Sequence, residues 1–493
     1  MKYVLGVDIG TGSVKAVAVD LQGRSFEVCQ HYYDYDVPQV GFHEQDPDEV
    51  WQAFIEAIKE IVAKIGAQPL GIGLSSAMHS LIAVDKTCSA LAPMITWADS
   101  RSADIAKRLR ASEQGIAIYK ATGTPIHAMS PLCKLIWIRE NNYELFGNAY
   151  KFISIKEYIW YRLFNEFKVD ESIASCTGLY NIHQYAWHNE ALRLAGISDQ
   201  QLSDPVPTNY TKYYEGKLLD FLHVGVPVII GASDGCLANL GSMANKPGTA
   251  VMTIGTSGAV RIASNRPLED ISAMTFSYIL DKSTFICGGP INNGGIALQW
   301  WLKNHVVPGL EEEDYEYALA QTADVPAGSN GLIFLPYLTG ERAPIWDSES
   351  CGVFFGIRLP HNNAHFSKAI LEGICYAMND VLFAMSVHDV SIAQINVSGG
   401  FIKSKVWLQM LADITGKKLV IVHTEDASTI GATIMAMKAL GIINDYPVSG
   451  SQDLQIIHPN ESNSAFYSKR FTIFKRLYLD LKETMHDFYQ MNN

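Results

Sequence analysis

Short apolar runs, glycine-bearing turns and stretches of helical periodicity follow one another along the chain. Tyr3 to Val7 and Lys15 to Val19 are rich in valine and alanine and flank Ile9-Gly10-Thr11-Gly12-Ser13, which predicts a tight hairpin and a sheet at the start. Asp46-Pro47-Asp48-Glu49 supplies an N-cap, a first-turn proline and further carboxylates. Val50, Phe54, Ile58, Ile61, Val62 and Ile65 then recur at helical spacing as far as Gly66, predicting a helix of about five turns. Strand-like Leu70 to Leu74, helix-like Ser102 to Arg110 and Leu132 to Asn141, and strand-like Val226 to Ile230 continue the alternation that marks an α/β architecture.

Past residue 245 the pattern starts again. Ala250 to Ile254, Thr256-Ser257-Gly258 and Ala259 to Ala263 repeat strand, glycine turn and strand. Thr253-Ile254-Gly255-Thr256-Ser257-Gly258-Ala259 aligns with Asp8-Ile9-Gly10-Thr11-Gly12-Ser13-Val14 around a shared Ile-Gly-Thr, which favours a structural duplication. The polar turn Asn245-Lys246-Pro247-Gly248 sets the expected boundary between a domain over 1–245 and one over 246–493. The second half continues with strand-like Gly331 to Leu335, a long helix from about His365 to Val387 and strand-like Ile395 to Val397. A helix over Ser404 to Thr415, a strand over Lys418 to His423 and a helix over Ser428 to Leu440 complete the pattern.

At 493 residues the chain suits two or three domains, and with 48% apolar and 18% charged residues it buries enough surface to fold. Its 38 basic and 51 acidic residues leave a net charge of −13 with no basic cluster, so nucleic acid is excluded as the expected main partner. The 8 cysteines contain no Cys-x-x-Cys pair and no zinc-like spacing, and read as reduced core thiols. Asp8 falls where a secretory signal needs its apolar stretch, and no segment supplies the roughly 18 uninterrupted apolar residues of a membrane span. The expected location is the cytoplasm, without a membrane partner. A second copy of the chain is a candidate partner, with the segment Phe466 to Tyr489 packing on its own domain or on a neighbour.

A glycine hairpin whose amides converge is an anion cradle, and two such hairpins suit a polyphosphate. The first holds Gly10, Thr11, Gly12 and Ser13 and begins at Asp8, a carboxylate able to hold a divalent cation against phosphate oxygens, with Lys15 nearby to neutralise charge. The second holds Gly255 and Thr256. Either alone reads as an ordinary turn, and neither spacing fits a Walker loop or a Rossmann fingerprint. Asp234 follows the apolar run Val226 to Ile230 and opens a helix, at the strand edge where ligands of open α/β sheets gather. It reads either as a helix cap or as a base that takes a hydroxyl proton during phosphoryl transfer.

Ser75-Ser76-Ala77-Met78-His79-Ser80 also follows a strand, and Trp97-Ala98-Asp99-Ser100-Arg101 combines a flat apolar ring with two opposite charges. A polyol needs that mixture: the ring covers its C–H face, Asp, His and Ser bond its hydroxyls, and Arg suits a carboxylate. Taken singly, His79 and Trp97 read as core residues. Gly399-Gly400-Phe401-Ile402-Lys403-Ser404 lies between a strand and a helix, where a flat ligand such as adenine can approach the backbone. Gly294-Gly295-Ile296-Ala297-Leu298-Gln299 opens a helix with an amide-rich start that suits phosphates.

Together these motifs resemble the FGGY carbohydrate kinases, members of the actin, Hsp70 and hexokinase fold group, over essentially the whole chain. Asp8 to Lys15 is similar to the family's first phosphate motif and Thr253 to Gly258 to its second. Met129-Ser130-Pro131-Leu132-Cys133-Lys134-Leu135-Ile136-Trp137 resembles the first signature. Gly352-Val353-Phe354-Phe355-Gly356-Ile357, with His365-Phe366-Ser367-Lys368-Ala369-Ile370-Leu371-Glu372 after it, resembles the second. The resemblance implies two actin-like, ribonuclease H-like α/β domains flanking a catalytic cleft, with ATP and Mg²⁺ as cofactors. It places Asp234 on the catalytic base, Gly399, Gly400 and Ser404 on the adenosine loop, and Gly295 and Gln299 on nucleotide contacts of the glycerol kinase branch.

Within the family, Ser76 to Ser80, Thr96 to Arg101, Thr122 to His127 and Gly288 to Gly295 are similar to gluconate kinases, which implies D-gluconate as the phosphoryl acceptor. Met78, His79, Ser80, Trp97, Asp99, Arg101, Asp234 and Asn293 are then the expected substrate residues, with Arg101, His79, His127 and Asn293 unranked for the carboxylate. Xylulose kinases typically carry Gln-Met-His-Gly where this chain has Ala77-Met78-His79-Ser80, and glycerol kinases an Arg-Glu pair at Met78 and His79. A pentulose kinase is the second reading. A catalytically silent sugar or nucleotide sensor, or an actin-like assembly protein, is the remote one.

Overall fold

The structure, a computed structural model, describes residues 2–216, 218–307, 312–386, 390–422, 426–447 and 455–492. The chain divides into two compact units, one of Met1–Asn245, Ser264–Cys287 and Asp426–Ser449, the other of Lys246–Ala263, Gly288–Glu425 and Gly450–Asn493. A cut at a single point after Asn245 therefore leaves two segments on the far side of it from the residues they pack against.

In the first unit β1 (Tyr3–Ile9), β2 (Ser13–Asp20) and β3 (Ser25–Tyr32) form an antiparallel meander. β4 (Ile72–Ser76) runs parallel to β1, β5 (Thr211–Tyr213) lies at the edge, and β6 (Pro227–Ser233) runs parallel to β4, giving the order β5-β6-β4-β1-β2-β3. The ladder of β4 continues past Leu74 to Ser76, which sets Ser75 beside Asp8. α1 (Pro47–Ile65) forms as its sequence dictates. Asp46 caps it by accepting from the Asp48 N–H, Pro47 starts it, and Gly66 ends it in the left-handed region at φ +67°. Its buried face of Val50, Phe54, Ile58, Ile61 and Val62 covers β2 and β3.

Three further helices of this unit carry residues used below: α2 (Pro131–Asn141), α3 (Ile155–Phe164) and α4 (Asp234–Gly241). The other face of the sheet is covered by the helix Ala427–Ala439, from near the end of the chain, which packs on β1, β4 and α4. It can come so close because Gly6 and Gly73 have no side chain: a Cβ on either would overlap the carbonyl oxygen of Thr429 or Ala432.

The second unit repeats the plan. β7 (Thr249–Ile254), β8 (Gly258–Ser264) and β9 (Thr284–Ile291) are successive neighbours, and β10 (Gln394–Ser398) and β11 (Lys418–Ile421) add in parallel on the other side of β7, with β12 (Ile456–Ile457) at the edge. The duplicated Ile-Gly-Thr turns thus each join the first two strands of a sheet, antiparallel neighbours in both units, and the second sheet has a seventh strand, Phe276–Asp281, beside β9 at its other edge. α5 (Gly295–Trp301), α6 (Asn363–Ser386), α7 (Lys405–Thr415) and α8 (Glu461–Asn492) surround this sheet's framework. α8, which contains the segment 466–489, packs on its own unit: Tyr467 donates to Glu372 and Tyr478 to Asp347, each at 2.8 Å. Val387 and His423, the expected ends of a helix and a strand, lie outside the described residues.

α6 is the one helix among the described residues long and apolar enough to cross a bilayer, and 83% of its apolar window is buried inside the protein. All eight cysteines are thiols, seven buried and Cys351 half-buried.

The close helix-to-sheet approach makes a direct prediction. Gly6→Ala and Gly73→Ala should each destabilise the fold by about 1–3 kcal/mol or more, because backbone rather than a side-chain tip must move. Gly147→Ala, in a helix with nothing within 4 Å of the added carbon, should be neutral or stabilising by about 0.4–1 kcal/mol. Urea unfolding of the three variants measures both.

Candidate active site

The first glycine hairpin is closed by the Gly10 N–H donating to the Ser13 carbonyl at 3.0 Å. Thr11 at its tip is held from two sides, since Gln45 Nε2 donates to its carbonyl at 2.6 Å and Trp97 Nε1 to its hydroxyl oxygen at 2.7 Å. Gly12 is exposed, and Ser13 accepts from Gln30 Nε2 at 2.8 Å. Asp8 stands at the carboxyl end of β1 and accepts from the hydroxyls of Ser75 at 2.5 Å and Ser428 at 2.8 Å. Burial raises its pKa above the usual aspartate value, and the two serines, Lys15 and Lys156 pull the other way. Lys15, expected near phosphate, pairs with Asp426 at 2.8 Å.

No group of three His, Cys, Asp or Glu side chains that could hold a metal occurs among the described residues. A half-buried carboxylate beside a glycine hairpin fits a hydrated Mg²⁺, which keeps several waters and is bound by one or two carboxylates together with nucleotide phosphates.

Asp234 is the first residue of α4, directly after β6, and is half-buried. Its Oδ1 accepts the Gly235 N–H at 2.6 Å. The carboxyl end of the strand that delivers it is fixed by a buried ion pair: Lys156 on α3 bonds Asp170 at 2.7 Å and the Ala232 carbonyl at 2.8 Å.

The turn after β4 carries Met78, half-buried, and His79 and Ser80, both buried. His79 sits at φ +67° and its Nδ1 donates to the Cys176 carbonyl at 2.8 Å, so Nε2 is the acceptor face of the neutral ring, 3.5 Å from the Tyr278 hydroxyl. Ser80 accepts the Ile155 N–H at 3.0 Å. Met78, Ser80, Thr11 and Trp97 share one small hollow.

Asp99 and Arg101 do something other than expected. Arg101 Nε and Nη2 both donate to Asp99, at 2.9 to 3.0 Å and 2.7 Å, and Nη2 also donates to Glu44 at 2.6 Å. The guanidinium lies 3.7 Å from the Phe42 ring centre, and the two side chains are 5% and 0% exposed. An ion withdrawn from water must be paired, and here Arg101 is paired with Asp99 and with Glu44. Asn293 is likewise absorbed. It is fully buried, its amide donates to the Gly340 carbonyl and Glu341, and its oxygen accepts from Thr339.

In the second unit the hairpin is closed by the Gly255 N–H donating to Ser257 at 2.9 Å, and Gly255 and Thr256 are exposed. The amides of Gly294, Gly295 and Ile296, expected to face phosphates, instead donate to the Thr256, Gly255 and Thr256 carbonyls at 3.1, 2.7 and 3.2 Å. They brace the hairpin. Beside it lies a cavity of about 680 Å³ lined by Thr256, Gln299, Gly400, Ser404, Tyr315 and Trp407 among others. Gly399, at φ +105°, runs so close to Ile254 that a Cβ would meet its carbonyl. Ser404 caps α7, accepting from the Trp407 N–H at 3.2 Å.

Several participants carry no local signal. Ser75 lies in the motif noted for its neighbours, and only the β1–β4 register brings it to Asp8. Ser428 and Asp426 arrive from more than 400 residues away. Tyr315 and Trp407 read as ordinary helical aromatics. Lys134 lies inside the first signature, where its spacing suggests nothing beyond a helix face.

The chain matches the FGGY family of carbohydrate kinases, N-terminal domain, over residues 3–241 and the C-terminal domain of that family over residues 250–440. It is 38% identical over 489 residues to a gluconokinase of Bacillus licheniformis, covering 96% of this chain and 95% of that protein. It is 39% identical over 457 residues to a gluconokinase of Bacillus subtilis, covering 90% and 89%. A xylulose kinase of Bacillus subtilis is 28% identical over 499 residues, covering 98% of each. Among solved structures, a ligand-bound xylulose kinase from Lactobacillus acidophilus superposes with TM-score 0.93 at 32% identity, covering 99% of this chain and all of that one. A gluconate kinase from the same organism does so with TM-score 0.93 at 31% identity, covering 99% of each.

The Asp99–Arg101 geometry separates scaffold from substrate contact. Arg101→Met should cost about 3–5 kcal/mol of stability by leaving a buried carboxylate unpaired, and adding Asp99→Asn should restore part of it. Unfolding curves test this; an Arg101 that instead served the substrate would lose acceptor binding with stability unchanged.

Proposed function

The chain belongs to the FGGY family of carbohydrate kinases, and we propose that it transfers the terminal phosphoryl group of ATP to the 6-hydroxyl of D-gluconate. Membership makes it a phosphotransferase that takes a sugar and ATP. The observation that carries the chemistry is Asp234, a half-buried carboxylate where β6 ends and α4 begins, in the same unit as the Met78–Ser80 turn and Trp97. The acceptor is read from the 38–39% identity to gluconokinases against 28% to a xylulose kinase, together with Ala77-Met78-His79-Ser80.

In this reading Asp234 accepts the proton of the attacking hydroxyl as the oxygen reaches phosphorus. Trp97 presents a ring to the acceptor's C–H face while its N–H keeps Thr11 in place. His79 offers Nε2 as a hydroxyl acceptor. Arg101 and Asn293 are tied into scaffold, which leaves the imidazoles among the four carboxylate candidates. Of these, His127 Nδ1 accepts the Met129 N–H at 3.2 Å, so its Nε2 carries the proton and is the donor of the pair. Thr11 with the amides near it is a phosphate contact of the first unit and Thr256 one of the second, whose cavity beside Gly400 takes the adenine. Asp8 would hold Mg²⁺, which when bound would neutralise phosphate charge. The cytoplasm is the compartment where such substrates are met.

A coupled assay of ADP release with gluconate, xylulose, ribulose and glycerol should show gluconate as the best acceptor. Faster turnover of xylulose would overturn the acceptor and leave the family standing. Asp234→Asn should lower kcat by roughly 10²- to 10⁴-fold with folding and ATP binding retained; near-normal turnover would remove Asp234 from the base's role.

A further inference from the structure

Lys134 is a lysine with no exposed surface, on the second turn of α2. Lysine is almost never fully buried unless paired, because an ammonium taken out of water is costly. Its partners are two carbonyl oxygens, those of His79 at 2.6 Å and Thr96 at 2.7 Å. Asp99, the acid that acts on it electrostatically, is engaged by Arg101. The charge is therefore spent on two main-chain atoms far apart in sequence. One belongs to the turn that carries Met78 and His79, the other to the turn that leads into Trp97.

Both turns need such a tie. His79 holds a left-handed backbone at φ +67°, uncommon for a residue with a side chain, and its carbonyl accepts from Lys134. Thr96 is fixed on its other side by donation from its N–H to the His43 carbonyl at 3.1 Å, and its carbonyl also takes the Asp99 N–H at 3.3 Å. A methionine of similar length would fill the same apolar space without desolvating a charge. What the ammonium adds is the distance between the two turns.

We propose that Lys134 is the positioning residue of the acceptor site, its ammonium clamping the Met78–His79 turn to the Thr96–Trp97 turn and so setting the affinity for the sugar. The proposal rests on those turns forming the acceptor pocket. Burial pulls the Lys134 pKa down to about 7, with Asp99 and the Cys133 thiol raising it and Arg101 lowering it. The His79 imidazole lies on the first of these turns, and the His43 imidazole, from a distant loop, hydrogen-bonds the Thr96 hydroxyl at 2.7 Å. As pH rises through that value the clamp loses its charge and its donors weaken, so the acceptor KM should climb. The fold itself gains from the same change, because the unfolded chain holds that proton to higher pH. Weaker acceptor binding at high pH is then not a symptom of unfolding.

The test is KM for the acceptor and for ATP, measured from about pH 6 to about pH 9 on the full chain and on Lys134→Met. For the natural protein, acceptor KM should rise roughly tenfold with pH while KM for ATP stays within about twofold. In Lys134→Met, acceptor KM should be raised roughly tenfold to a hundredfold already at low pH, should lose its pH dependence, and kcat should change less than KM. An unchanged acceptor KM in the folded variant, or the same pH slope with and without Lys134, overturns the clamp. If Lys134→Met does not fold, the series on the natural protein decides, and a flat acceptor KM refutes it. If gluconate is not phosphorylated at all, the acceptor reading fails, and the same series is run on whichever sugar of the panel is turned over.

Discussion

Charge taken out of water has to find a partner, and the first unit is organised around that requirement. Arg101 is closed by Asp99 and Glu44, Lys156 by Asp170 and the Ala232 carbonyl, Lys134 by two carbonyls, and Asp8 by two serine hydroxyls. Each set joins elements distant in sequence, and each ends at a turn or strand edge that carries a proposed substrate residue. Breaking a buried pair costs far more than a surface bridge contributes. The turns bearing His79, Trp97 and Asp234 therefore inherit their positions from buried charges on other elements.

The same logic explains why the end of the chain returns to its beginning. The helix Ala427–Ala439 settles against β1 and β4 where Gly6 and Gly73 admit it, and its leading residues deliver Ser428 to Asp8 and Asp426 to Lys15. The surroundings of the first glycine hairpin thus depend on residues from distant parts of the sequence. Its counterpart in the second unit is braced differently, by three amides at the start of α5. The same Ile-Gly-Thr turn has two different supports.

Much of the fold was legible in the sequence. The Asp46 to Gly66 helix, both glycine hairpins and the α/β alternation followed from spacing and caps, and the family from the resemblance of its motifs, because those signals are local. The partners of side chains were not. Asp99 and Arg101 have the chemistry of a substrate grip, and nothing nearby in sequence says that Glu44 and the Phe42 ring complete a closed cluster. Asn293 reads as an open amide until Gly340, Glu341 and Thr339 fold over it. Lys134 shows the reverse error: its surroundings look apolar, so its spacing suggests packing, and only the two carbonyls disclose a role for its charge.

The central claim is that scaffold charges and substrate contacts are separate sets, with Asp234 in the second and Arg101 in the first. A crystal structure of the protein with gluconate bound tests it most directly. The account predicts the 6-hydroxyl within hydrogen-bond distance of an Asp234 oxygen, while Arg101 remains on Asp99 and Glu44. A gluconate carboxylate resting on a displaced Arg101, or a terminal hydroxyl directed away from Asp234, would contradict it.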